Sequence, residues 1–164
     1  MAPDMDDERT LVHATAVATA NVDFFSCVLL AGPSGAGKSD LALRLLAWPA
    51  SGLGGQPFQL VADDQVLLQA EGEKLIARPP KTLAGKLEVR GIGIVDLPYL
   101  EAADVHLVVE LVPANQIERM PQADTTVLAG QIRPLIRLFA FEPSAPLKVA
   151  LALQGVGHRR LLEI

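Results

Sequence analysis

The hydrophobic and polar positions begin with a loosely alternating stretch, Thr10 to Ala18. Turn chemistry follows at Asn21-Val22-Asp23, and then a continuous apolar run from Phe24 to Ala31. Alternation of period two fits a strand, and a short unbroken apolar run fits a strand buried on both faces, so the pair predicts a hairpin. Leu41, Leu43, Leu45 and Leu46, with Ala42 and Ala47, predict a helix that is apolar over most of its circumference and stops at Pro49. The glycine-rich stretch from Ala50 to Pro57 reads as a surface connection, and Gln59 to Ala62 as a short strand ending in Asp63-Asp64. Val66 to Leu68 and Lys74 to Ala77 flank Glu71-Gly72-Glu73 and predict a second hairpin. Val105 to Leu111 and Ile132 to Phe141 are further β-rich runs, and Leu147 to Leu153 predicts a closing helix. Strands outnumber helices. The expected fold class is therefore α/β, a single domain with a mixed sheet and flanking helices rather than a doubly wound parallel sheet.

Composition narrows the function classes. A chain of 164 residues, half of them hydrophobic, can bury close to 70% of its unfolded surface. No apolar run approaches the ~18 residues of a membrane span. Met1 to Arg9 is rich in Asp and matches no targeting pattern, so residues 1–9 are expected to be a lead-in, 10–157 the functional domain and 158–164 a solvated tail. The single cysteine, Cys27, sits in an apolar strand and reads as a packing residue, which suits a reducing cytoplasm. Net charge is −5 and the arginines are scattered, which leaves no electrostatic footprint for nucleic acid.

The chemistry concentrates in three runs. Gly32-Pro33-Ser34-Gly35-Ala36-Gly37-Lys38-Ser39 fits the phosphate-loop pattern G-x-x-x-x-G-K-[ST] between an apolar strand and an amphipathic helix. Its glycines let backbone N–H groups turn inward onto phosphate oxygens, and the helix adds its positive dipole end. Lys38 is then expected on the β- and γ-phosphates of a nucleotide, and the Ser39 hydroxyl on Mg²⁺. Leu60-Val61-Ala62-Asp63-Asp64 delivers two carboxylates from a strand. Adjacent residues there point to different sides, so one can orient the metal while the other accepts a proton from a hydroxyl. The third run is Leu87-Glu88-Val89-Arg90-Gly91-Ile92-Gly93-Ile94-Val95. By itself it reads as an ordinary strand with a bulge.

Together these runs resemble the catalytic domain of the bacterial HPr kinase/phosphorylase family, and the third is similar to that family's own signature. The resemblance extends from about Leu11 to Leu153. It implies an ATP- and Mg²⁺-dependent protein kinase that phosphorylates a serine of HPr or a paralogous phosphocarrier of the sugar or nitrogen phosphotransferase system. By the same resemblance His13 takes the place of a histidine upstream of the phosphate loop, and Lys38 and Ser39 bind phosphate and Mg²⁺. Glu88 takes the second metal position, Asp63 and Asp64 supply the base, and Arg119 matches a downstream catalytic arginine. The family also implies a homo-oligomer, commonly a hexamer, with the carrier docking near Val89 to Leu97.

Two departures from the family pattern shape the expectation. Only about ten residues precede His13, which predicts a short form without the family's N-terminal domain. Phe141-Glu142-Pro143-Ser144-Ala145-Pro146 lacks the arginine of a P-V-x-P-G-R-N loop, which favours the kinase direction over the phosphorylase. Two rival readings are a small-molecule phosphate-loop kinase and an ATP-binding sensor that docks on a two-component or phosphotransferase protein. No N-K-x-D segment supports a GTPase. Asp104 and His106, two apart on a strand, lack a third ligand and read as structural. Arg78-Pro79-Pro80-Lys81 and His158-Arg159-Arg160 read as solvated segments.

Overall fold

The computed structural model describes residues 8–20, 25–49 and 55–157. The residues 1–7, the turn expected at Asn21 to Asp23, most of the Ala50 to Pro57 connection and the tail from His158 lie outside the described residues. The first hairpin is formed by β1 (Thr10–Ala20) and β2 (Phe25–Ala31), antiparallel with Ala14 opposite Ala31 and Ala20 opposite Phe25. Helix α1 (Lys38–Ala47) follows, and its chain turns to extended backbone at Trp48, one residue before Pro49. Next come β3 (Phe58–Ala62), β4 (Gln65–Glu71), β5 (Lys74–Arg78), β6 (Lys86–Val89), β7 (Gly93–Asp96) and β8 (Ala103–Leu111). Then β9 (Asp124–Leu128), β10 (Gln131–Leu138) and α2 (Ala145–Gly157) complete the described chain.

The sheet is mixed. Strand β8 runs parallel to β2 on one side and to β10 on the other, and β9 closes that edge antiparallel to β10. Beyond β2, β1 carries two partners end to end along its other edge: β3 opposite Ala16 to Thr19, and β4 opposite Thr10 to His13. The break between them is Asp63-Asp64, where Asp64 adopts a left-handed φ of 67° and its carbonyl accepts the Ala14 N–H. Strand β5 pairs with β4 and returns to β8, so β1, β2, β8, β5 and β4 form a closed ring.

Alternating side chains divide this framework into two cores. Val28 and Leu30 of β2 pack with Leu41, Ala42 and Leu45 of α1 and with Val149, Ala150 and Leu153 of α2. Cys27 and Leu29 face the ring interior with Ala14, Ala16, Ala18, Val66, Leu68 and Leu75. Three alanines at successive inward positions of β1 share the ring interior with the larger Leu29, Leu68 and Leu75. Both helices thus lie on one face, where flanking helices were expected, and strands cover the other. Burial pushes the Cys27 thiol far above its ordinary pKa, with Asp104 adding to the shift, so it is an inert packing group.

The run from Leu87 to Val95 is a hairpin rather than one bulged strand. Gly91 at φ 89° and Gly93 at φ 114° take left-handed conformations, and the chain reverses at Arg90 to Ile92. Strand β10 ends at Leu138, three residues short of the β-rich run, and the Leu138 carbonyl accepts the Val112 N–H just past β8. None of the described helices is long and apolar enough to cross a membrane.

Candidate active site

Because β2, β8 and β10 are parallel, their carboxyl ends gather at one edge of the sheet, with Ala31 beside Glu110 and Leu111 beside Leu138. Antiparallel β1 brings His13 and Thr15 to that same edge, and β3 ends there in Asp63-Asp64. This is the edge at which open α/β sheets bind ligands. The Gly32 to Ser39 loop leaves β2 here and enters α1. Gly32, Gly35 and Gly37 have φ values of 152°, 83° and 99°, and Gly37 is the left-handed residue directly before the helix. Space is limited at Gly37: a Cβ there would lie 2.7 Å from Ala140 Cβ and 3.0 Å from the Phe141 ring.

Lys38 is buried and folds over its own loop, donating to the carbonyls of Gly32 (2.7 Å) and Pro33 (3.0 Å). Burial lowers its pKa from the ordinary lysine value, while Asp64 and Asp63 pull the other way. The two aspartates point apart, as adjacent strand-end residues should. Asp63 is buried, and three donors fix it. Its Oδ1 accepts from the Thr15 hydroxyl (2.8 Å) and the Ser39 hydroxyl (2.8 Å), and its Oδ2 from the Glu88 N–H (3.2 Å). Asp64 faces outward, with its Oδ1 3.2 Å from His13 Nδ1, and both side chains are more than half exposed.

The structure therefore joins Lys38, Ser39, Asp63, Asp64 and His13 at one sheet edge, with the Glu88 backbone bonded to Asp63. The Glu88 carboxylate is exposed on the β6–β7 hairpin, next to fully buried Leu87. Arg119 lies in the exposed segment between β8 and β9, which also leaves from this edge. Among the described residues no hydrogen bond or ion pair ties it to the others. Thr15 is the residue that sequence reasoning missed. Its hydroxyl is fully buried and bonds only across the fold to Asp63, so the local pattern held no signal that could have found it. Among the described residues no group of three or more His, Cys, Asp or Glu forms a metal cluster. Asp104 accepts the Leu75 N–H (2.9 Å) and faces His106 and Arg133.

A family model for the HPr serine kinase C-terminal domain matches residues 8–131. The chain belongs to this family. The HPr kinase/phosphorylase of Chlorobium phaeobacteroides is 37% identical over 127 residues, covering 70% of this chain and 37% of that protein. The HPr kinase/phosphorylase of Clostridium tetani is 42% identical over 73 residues, 44% of this chain and 21% of that one. The chain thus spans well under half the length of these curated relatives. Among solved structures, the HPr(Ser) kinase/phosphatase of Coxiella burnetii superposes with a TM-score of 0.72 at 27% identity. That match covers 92% of this chain and 96% of the other, so the mixed α/β fold of the HPr kinase domain extends past the matched residues through most of the chain.

Proposed function

We propose that this HPr kinase domain transfers the γ-phosphoryl group of ATP to a serine of HPr or a paralogous phosphocarrier, in the kinase direction. The observation that carries the reading is the meeting of Lys38, Ser39 and Asp63 at the carboxyl end of β2, with the Ser39 hydroxyl 2.8 Å from Asp63. In this reading the curled glycine loop offers its N–H groups to the phosphates, and Lys38 leaves its own carbonyls for the β- and γ-oxygens. The donors suit Mg²⁺, a hard cation that takes one or two protein oxygens together with substrate phosphates. Ser39 Oγ and the Asp63 carboxylate would hold it, with Glu88 reaching in from the hairpin. Bound there, the ion supplies charge neutralisation for the transferring group.

The serine proton goes to the aspartate pair. Asp64, exposed and against His13, is open to an incoming hydroxyl, whereas Asp63 is buried and already accepts three hydrogen bonds. The carrier docks on the β6–β7 hairpin, where Ile92 and Ile94 are 78% and 69% exposed beside the Asp63 anchor. Glu142, in the loop where the family's phosphorylase arginine would stand, contacts Lys148 instead, which favours phosphorylation over its reversal.

The test is single-turnover transfer from Mg·ATP, with nucleotide binding followed separately by calorimetry. Lys38→Ala should lose nucleotide binding. Asp64→Asn should keep it and slow transfer by about 10²–10⁴-fold. Wild-type transfer in Asp64→Asn would overturn the assignment of Asp64 as the base, and wild-type transfer in Asp63→Asn as well would remove the aspartate pair from the mechanism. Tight ATP binding with no transfer to any carrier would favour an ATP-binding sensor.

A further inference from the structure

Phe141 places a large aromatic side chain beside the glycine loop. It follows β10, at the same sheet edge as the loop, and its ring is 54% exposed. The ring lies against Gly37, with Cζ 3.0 Å and Cε1 3.2 Å from the point a Gly37 Cβ would occupy. It does not hang free. Phe139 meets it edge-on at a centroid distance of 5.7 Å and an interplanar angle of 70°. Arg44 of α1 donates to the carbonyls on either side of it, those of Ala140 and Glu142, and Lys148 holds the Glu142 carboxylate. A segment tied at both flanks, carrying an exposed aromatic face, is ordered before any ligand arrives, so little conformational entropy is lost on binding.

We infer that Phe141 is a stacking platform for the base of the nucleotide whose phosphates the Gly32 to Ser39 loop holds. This deepens the nucleotide reading above and rests on it. The loop residues and Lys38 can recognise only phosphate. The rest of a nucleotide needs an apolar surface at the same edge, and this ring provides one next to the last glycine of the loop. Base-on-aromatic stacking requires no particular hydrogen-bond pattern, because every base has a π-face. The strain that a side chain would meet at Gly37 is the other side of the same packing: glycine there lets the ring sit directly on the loop.

Calorimetry with two ligands, Mg·ATP and Mg·tripolyphosphate, tests this on the wild type, Phe141→Ala and Phe141→Trp. Tripolyphosphate has the phosphates without the base. The expected result is that Phe141→Ala weakens ATP by about fivefold or more, leaves tripolyphosphate within about twofold, and that Phe141→Trp restores ATP. Unchanged ATP affinity in Phe141→Ala, or an equal loss of both ligands, would overturn the platform while leaving the phosphate loop in place. A wild type that binds neither ligand would remove the nucleotide reading itself and the platform with it. The introduced indole gives a readout that does not depend on the alanine variant folding: its emission, corrected for Trp48, should respond to ATP and not to tripolyphosphate. An equal response to both, or to neither, counts against stacking.

Discussion

Thr15 shows how much one hydroxyl can carry. It is fully buried among Ala14, Ala16, Val17 and Ala18 of β1, and it donates to a carboxylate that also accepts from Ser39. Thr15→Val keeps the shape and leaves Asp63 Oδ1 short of a donor, at a cost of about 1–3 kcal/mol. The urea midpoint should fall with the slope unchanged, and Thr15→Ser should restore it. An unchanged midpoint would mean that Ser39 and the Glu88 N–H suffice to hold Asp63. His106 supplies a second test at this scale. Burial lowers its pKa, with Asp104 opposing and Arg133 assisting, so the unfolded chain binds its proton at a higher pH than the native protein does. Stability should then fall as pH drops below about 6.5, the unfolded value. His106→Gln should flatten that part of the curve, and an equal slope in the variant would refute the burial argument. That Lys38, Ser39, Asp63 and Asp64 meet at one sheet edge was legible because the glycine loop and the strand end that carry them are marked by residue type and spacing. Thr15 was not, because a threonine in a strand looks like any β-branched residue until its partner, 48 positions away, is known.

At the scale of elements, periodicity located the first hairpin, α1, β3 to β5, β8 and α2 because each buries a face that the pattern must serve. Two features escaped it. Strand β9 has no fully buried residue, so its pattern carries no hydrophobic signal. The β6–β7 hairpin turns through two left-handed glycines, and a Gly-x-Gly in a short apolar run fits a bulge equally well. The link between α1 and the segment after β10 was also invisible, since Arg44 reaches about a hundred residues along the chain to the Ala140 and Glu142 carbonyls. Arg44→Ala should therefore raise amide hydrogen exchange across residues 139–144 while β2 and β8 stay protected. Unchanged exchange in that segment would show that the loop is held by Ala140 packing alone.

On the scale of the whole molecule, three parallel strands with a common carboxyl edge, and an antiparallel pair reaching the same edge from the other side, bring together residues from Thr15 to Phe141. The mixed sheet was anticipated, but the closed ring was not, because strand order depends on long-range pairings such as β5 with β8 that no local pattern records. Asp63 and Asp64 sit at the break between β3 and β4, one carboxylate inward and one outward, and the proposed transfer to a serine hydroxyl uses that division. The most direct measurement is the intact mass of an HPr-like phosphocarrier after incubation with this protein and Mg·ATP, with Lys38→Ala as control. One added phosphoryl group, mapped to a serine and absent with the control, is the expected result. An unchanged carrier mass while the protein still binds ATP would contradict it.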